Sequence, residues 1–260
     1  MHILLVTAAP PGSDFGSETT AIRWENLLDE LGHETEQTYT YDRFEETHAD
    51  PAFDAMVAIG AKECDDAITT FLAEDDSRPL ILALNNADLY RGVETEPEVR
   101  EHIDQATRVV VFHDRAPAEV PADYRDKVRI VYPGVELPEG GLDAFEMPPH
   151  RREKETRPYR FEVCVANNLQ EHDDPIRAAK AAAILGDDSQ VRVAHIGRIL
   201  DARWETQVRR ESENNDRYEW YGEVPWERAL QHIRHADLLA TTPSRGGASP
   251  VVPEAIALET

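Results

Sequence analysis

"MHILLVTAAPPGSDFGSETTAIRWENLLDELGHE", residues 1–34, sets a short apolar run, a loop of small residues and an amphipathic stretch in direct succession. The run Ile3–Thr7 predicts a first strand. Ala21, Trp24, Leu27, Leu28 and Leu31 recur at helical spacing on one face, Ser17 predicts the N-cap, and Gly32 follows the last apolar residue as a stop. A weaker extended stretch, Glu34–Thr38, comes next. Strand, tight loop, helix and strand in that order open a parallel sheet with crossover helices. The N-terminal apolar run is too short for a secretory signal or a membrane span.

The same alternation continues outward. Further strands are predicted at Ala55–Ile59, Leu80–Leu84, Arg108–Phe112 and Val128–Tyr132. The pattern then dissolves into "LPEGGLDAFEMPPHRREKETRPYR", rich in Pro, Gly and charge, which reads as a linker over 137–160. Strands resume at Phe161–Ala166, Val191–Ile196, Tyr218–Tyr221 and Leu238–Thr241, with helices over Asp174–Leu185, Ala202–Asn214, Trp226–Ala236 and Val251–Leu258. The expected fold class is α/β with two Rossmann-like domains, 1–136 and 161–260, the second incomplete.

Composition narrows the function classes. The 260 residues carry 51 acidic and 27 basic side chains, a formal charge of -24, which is the wrong sign for a nucleic-acid footprint. Basic residues are nearly all arginine, with lysine only at Lys62, Lys127, Lys154 and Lys180, a pattern that suggests a halophilic cytoplasm. Any phosphate subsite must then be built locally, from a few arginines and backbone amides. Cys64 and Cys164 are the only cysteines, and Cys164 sits in the apolar run "FEVCVA", so a reduced intracellular protein is expected.

Two such domains bind ligands at the carboxyl ends of their strands. The loop after the first strand, "AAPPGSDFGSE" (residues 8–18), is not G-x-G-x-x-G, which removes a dinucleotide-dependent dehydrogenase. Near the end, "TPSRGGASPVVPEAIALET" (residues 242–260) runs from a strand through a Gly246–Gly247 turn into a helix, a way to set backbone N–H groups against a charged ligand.

The pieces "PPGS" and "TTAIRW" in the first domain, "NNADLYRG" (85–92), "VRIVYPGVE" (128–136), "FEVCVANNLQEHDDPIRAAKAA" (161–182), "YEWYGEVPWERAL" (218–230) and "HADLLATTPS" with "EAIA" resemble family 4 glycosyltransferases of the GT-B fold. Within that family the chain is most similar to the branch containing the selenosugar synthase of selenoneine biosynthesis. The resemblance runs in order over nearly the whole chain. It implies a metal-independent hexosyltransferase that uses no cofactor, with the nucleotide-sugar co-substrate on the C-terminal domain and a small acceptor on the N-terminal one. For the branch, the implied donor is UDP-N-acetylglucosamine and the implied acceptor selenophosphate.

Carried over by position, Glu254 matches the glutamate that holds the nucleotide ribose and Gly247 the glycine whose backbone approaches the sugar. Gly12, Ser13 and Gly16 match a flexible acceptor-side loop, and Asp88, Tyr90 and Arg91 match the branch's "DLYR" segment. Three departures stand out. Gly246 stands where the family has a first glutamate, Asn168 and Asp173 where it sets an arginine and a lysine on the diphosphate, and Gly60 where the branch tends to have a histidine. A carboxylate beside a diphosphate opposes binding. Arg245 and Arg198 follow strand ends and offer guanidinium groups as replacements, or are surface ion-pair residues in an acidic protein. His195 reads as a packed strand-end histidine, and His113–Asp114 as neighbours pointing to opposite faces. Two readings stay open: an active transferase, and a degenerate homologue that binds nucleotide or a partner without catalysis. The family continues past "EAIA" through a glycine, another strand and further crossover units. The resemblance therefore implies a fragment of a longer protein with an unpaired sheet edge.

Overall fold

The computed structural model describes residues 1–8, 16–38, 53–135, 137, 140–141, 159–244 and 249–260. The chain divides into two compact units, Met1–Gly134 and Val135–Thr260. Most of the stretch read as a linker, 137–160, lies outside the described residues.

Among the described residues the first unit holds six strands: β1 (His2–Thr7), β2 (Glu34–Thr38), β3 (Ala55–Ile59), β4 (Leu80–Ala83), β5 (Arg108–Val111) and β6 (Val128–Ile130). They lie in the order β2-β1-β3-β4-β5-β6 and every pairing is parallel. Parallel strands are covered on both faces and so read as unbroken apolar runs; "AMVAI" of β3 is buried at all five positions. Along β1, Leu4 and Val6 join Met56, Phe71 and Ile103 on one face, while Ile3 and Leu5 join Val57, Ile59 and Ala21 on the other. The helices are α1 (Gly16–Glu30), α2 (Asp65–Glu74) and α3 (Pro97–Gln105), with a π-helical turn at Asp88–Gly92 between β4 and α3.

Helix α1 differs from its sequence reading in detail. It begins at Gly16, so Ser17 lies inside the first turn instead of capping it. Ala21 is buried and Trp24 and Leu28 pack beside it, whereas Leu27 and Leu31 are 54% and 74% exposed. At 100° per residue Leu27 falls about 120° round the helix from Ala21. Leu31 lies beyond the last helical residue. Gly32, with φ of 82°, ends the helix as expected.

The second unit holds β7 (Phe161–Ala166), β8 (Val191–Ile196), β9 (Tyr218–Gly222) and β10 (Leu238–Leu239) in the order β10-β7-β8-β9, again all parallel. Its helices are α4 (Arg177–Ala183), α5 (Arg203–Asn214), α6 (Trp226–His235) and α7 (Val251–Ala257). Cys164, Ile196, Leu230, Ile233 and Val251 form one core layer; Val165, Ile176, Val193, Val208 and Tyr218 form the other. Helix α4 starts at Arg177 and not at Asp174, because the residue before Pro175 disfavours helical geometry; Asp174 is left-handed, with φ of 44°. Among the described strands β10 pairs with β7 alone, and Leu238 is 56% exposed. Cys64 and Cys164 are both buried thiols, and burial pushes the Cys64 thiol far above its usual range, so it is no nucleophile.

Candidate functional site

Each sheet has one point where the chain reverses its direction of growth. In the first unit this lies between β1 and β3, in the second between β7 and β10. Ligands of such sheets bind outside the carboxyl ends of the strands at these points.

In the second unit the loops after β7 and β8 are locked together. Gly197 has φ of 149°, and a Cβ there would stand 2.0 Å from the Asn167 carbonyl oxygen, so only glycine fits. His195, fully buried, receives the Tyr218 hydroxyl on Nδ1 at 2.7 Å and lies 3.0 Å through Nε2 from the same Asn167 carbonyl oxygen. A carbonyl only accepts, so the proton sits on Nε2 and Nδ1 accepts from Tyr218. Burial pushes the His195 pKa down to about 4, which keeps the ring neutral at physiological pH. It is a packed strand-end histidine.

Asn168 and Arg198 are brought together through the Asn168 side-chain amide and the Arg198 backbone. Asn168 Oδ1 accepts the backbone N–H of Arg198 at 3.1 Å, and the Arg198 guanidinium lies 3.5 Å from Glu223 Oε1. Asp173 accepts from the Gln170 amide at 2.8 Å. Thr242, just past β10, donates its hydroxyl to the carbonyls of Asp173 and Asp174 at 3.0 and 3.2 Å. The two loops flanking the reversal point are thereby tied to each other, a link that nothing in the sequence marks.

Glu254 lies in the first turn of α7 and is 7% exposed, so it is not a solvated helix residue. Its Oε1 accepts the indole N–H of Trp226 at 3.4 Å. Trp226, the first residue of α6, enters the sequence reading as a helix start and not as a site residue; its one signal was an aromatic directly after Pro225. Arg245, Gly246 and Gly247 lie outside the described residues.

In the first unit Asp88, 2% exposed, accepts the backbone N–H groups of Ala61, Lys62 and Asn85 at 2.7, 3.2 and 3.3 Å. Burial nonetheless raises its pKa, with the three N–H donors opposing. Its carboxylate fastens the loop after β3 to the end of β4. Tyr90, in the same π-helical turn, has its hydroxyl 2.8 Å from His113 Nε2, and burial raises its pKa. The partner of His113 is thus Tyr90, not the adjacent Asp114. Arg91 is exposed on that turn and makes no hydrogen bond through its guanidinium with a described residue. Single π-helical turns recur at functional sites. Gly16 is the first residue of α1, and Gly12 and Ser13 lie outside the described residues.

Among the described residues no group of three or more His, Cys, Asp or Glu is arranged to hold a metal, and no helix is long and apolar enough to cross a membrane.

No protein-family model matches the chain, and no curated protein sequence does. Solved structures do match. The chain is similar to Anabaena HepE in complex with UDP, at 16% identity and a TM-score of 0.65, over 99% of this chain and 78% of that one. It is similar to a glycosyltransferase from Rickettsia africae, at 12% identity and a TM-score of 0.64, over 100% of this chain and 77% of that one. WaaG, a glycosyltransferase involved in lipopolysaccharide biosynthesis, matches at 13% identity and a TM-score of 0.63, over 99% and 79%. With two parallel-sheet units and these neighbours along nearly its whole length, the chain has the GT-B fold.

Proposed function

We propose that the protein is a nucleotide-sugar glycosyltransferase, its donor held by the second unit and a small acceptor by the first. The observation that carries this reading is the buried Glu254 carboxylate in the first turn after the β10 loop, on a sheet whose reversal point is closed by Thr242. A carboxylate there suits the hydroxyls of a ribose, and the likeness to a UDP-bound protein of the same fold supports a uridine nucleotide. The finer assignment follows the sequence resemblance: UDP-N-acetylglucosamine as donor, selenophosphate as acceptor, and no metal.

In this reading, cations near the carboxyl ends neutralise the diphosphate as the sugar leaves. Preorganised donors aimed at developing charge are the main resource of such a site. Arg245 is the principal candidate, with Arg198 second after releasing Glu223. Titration with UDP, UDP-N-acetylglucosamine and NAD tests the assignment: UDP and its sugar should bind and NAD should not. Arg245→Ala should weaken UDP by about 1.5 to 3 kcal/mol through loss of a charge-assisted contact. Turnover that survives a chelator would support the metal-free mechanism.

The alternative, a nucleotide-binding homologue without catalysis, is favoured by one observation. Asn168 spends its carbonyl on backbone and Arg198 is paired to Glu223, where the family sets cations on phosphate. UDP binding without sugar transfer to selenophosphate or water would decide for it.

A further inference from the structure

Two carboxylates stand at the carboxyl end of the first sheet, and they differ in what they have left to offer a ligand. Asp88 is buried and takes three backbone N–H groups. Glu63 lies in the loop after β3, the strand that flanks the reversal point. Its Oε2 accepts the Asn85 side-chain N–H at 2.7 Å, and its Oε1 accepts no hydrogen bond from a described residue. The residue as a whole is exposed, but its carboxyl group folds back over the backbone of Gly60 instead of running out into water. Gly60 makes the room: its φ is 102°, and a Cβ there would stand 2.7 Å from Glu63 Oε2. The start of α2 does not explain this placement, because Asp65 and Asp66 already supply carboxylates to its first turn. Burial of the carboxyl end and, after it, the Asp88 charge raise the Glu63 pKa, against the Asn85 N–H.

We propose that Glu63 is a general base, its Oε1 taking the proton of an acceptor hydroxyl, and that it selects acceptors that bring a proton over those already ionised. As the acceptor oxygen bonds to the anomeric carbon, its O–H proton passes to Glu63 Oε1. The bond from that carbon to the diphosphate oxygen breaks, and its electron pair leaves with UDP. A carboxylate whose surroundings favour the protonated form is a stronger base than a solvated one, and the Asn85 N–H holds it in one orientation. The same charge opposes an anion such as selenophosphate, which needs no base. This assignment rests on the nucleotide-sugar reading and parts from the sequence resemblance on the acceptor alone.

The test is UDP release from UDP-N-acetylglucosamine and UDP-glucose by the full chain, with thermal melting to confirm that the variant is folded. Water, glycerol and glucose serve as hydroxyl acceptors and selenophosphate as the ionised one. Glu63→Gln keeps the Asn85 contact through its amide carbonyl but cannot take a proton. Release with the hydroxyl acceptors should fall about a hundredfold at unchanged donor KM, and release with selenophosphate should rise about threefold. In the wild type the rate with hydroxyl acceptors should fall as pH drops through the raised Glu63 pKa, since the base must be unprotonated, and Glu63→Gln should lose that limb. The other ionisable groups facing Glu63 are Asp88, saturated by backbone, and the buried Cys64 thiol. If Glu63→Gln fails to fold, the wild-type pH limb and its choice between hydroxyl and ionised acceptors decide. Equal rates in Glu63→Gln and wild type, or a wild type that transfers to selenophosphate and to no hydroxyl, would overturn this assignment alone. A wild type that releases no UDP with any acceptor would overturn the nucleotide-sugar reading as well.

Discussion

The carboxyl ends of the two sheets solve the same packing problem with different chemistry. In the first unit one buried carboxylate, Asp88, accepts three backbone N–H groups and ties two loops together. In the second, the loops after β7 and β8 close through neutral groups: the Asn168 amide, the His195 ring and the close approach of Gly197. There the buried carboxylate, Glu254, meets a side chain of another helix instead. A buried charge saturated by local backbone is scaffold. Neutral closure keeps one more negative charge away from the place where a diphosphate would sit, which matters in a chain of net charge -24.

The contrast can be broken most severely at Gly197. Gly197→Ala drives a Cβ into a carbonyl oxygen that belongs to backbone, and should cost more than about 4 kcal/mol, read as loss of the second unit's transition in chemical denaturation. If the transition stays, the two loops can part enough to admit a methyl group. Next comes Asp88→Ala, which strands three backbone N–H groups and should cost about 3 to 4 kcal/mol in the first unit's transition. A cost near that of a surface substitution would remove Asp88 from the scaffold and return it to the acceptor site.

The third test is acid. Folded His195 takes up its proton only near pH 4, while the unfolded side chain does so near 6.5. Fewer protons are bound by the folded state in that window, so its contribution is full above pH 6.5 and is lost as pH falls towards 4, by about 3 kcal/mol. Stability measured from pH 7 to 4 should show this slope in the wild type, and His195→Gln should flatten it. Equal slopes would mean that His195 is not held neutral. The smallest effect is expected at Arg198, whose pairing with Glu223 must be released before it can serve a ligand: Arg198→Ala should weaken UDP by about 1 kcal/mol. No change would leave it as a surface ion-pair residue.

Strands were legible because a parallel sheet demands apolar side chains on both faces, and runs such as "AMVAI" and "ILLV" allow little else. The carboxyl ends of β4, β5, β6 and β10 were overrun by one or two residues; at β4 and β6 Leu84 and Val131 keep a ladder hydrogen bond, to Val110 and Val111, after the regular pairing stops. The stripe on α1 was read too wide because spacing tells which residues share a face, not how far a sheet of given width reaches round it. Site residues were legible only as types at strand ends. The partner of His113 comes from a turn 23 residues away, and the indole N–H that Glu254 accepts belongs to a tryptophan 28 residues earlier. Periodicity says nothing about such pairs. Nothing in the sequence separates Gly197 from an ordinary loop glycine; the Asn167 carbonyl beside it does.

The all-parallel pairing has a consequence for the order of events as the chain is made. No described strand pairs with its neighbour through a hairpin, so each of these ladders waits for a crossover to be completed. In the first unit the last partner, β6, is in hand by Ile130. In the second, at the head of the β7–β10 pairing, the Glu162 N–H donates to the Asp237 carboxylate and the Asp237 N–H to the Glu162 carbonyl, across 75 residues. Topologies dominated by such distant contacts fold slowly, and a growing chain folds its N-terminal domain first. The first unit can therefore be complete while β7 is still without its outer neighbour, and the exposed edge of β7 is the part of this chain that a chaperone would meet.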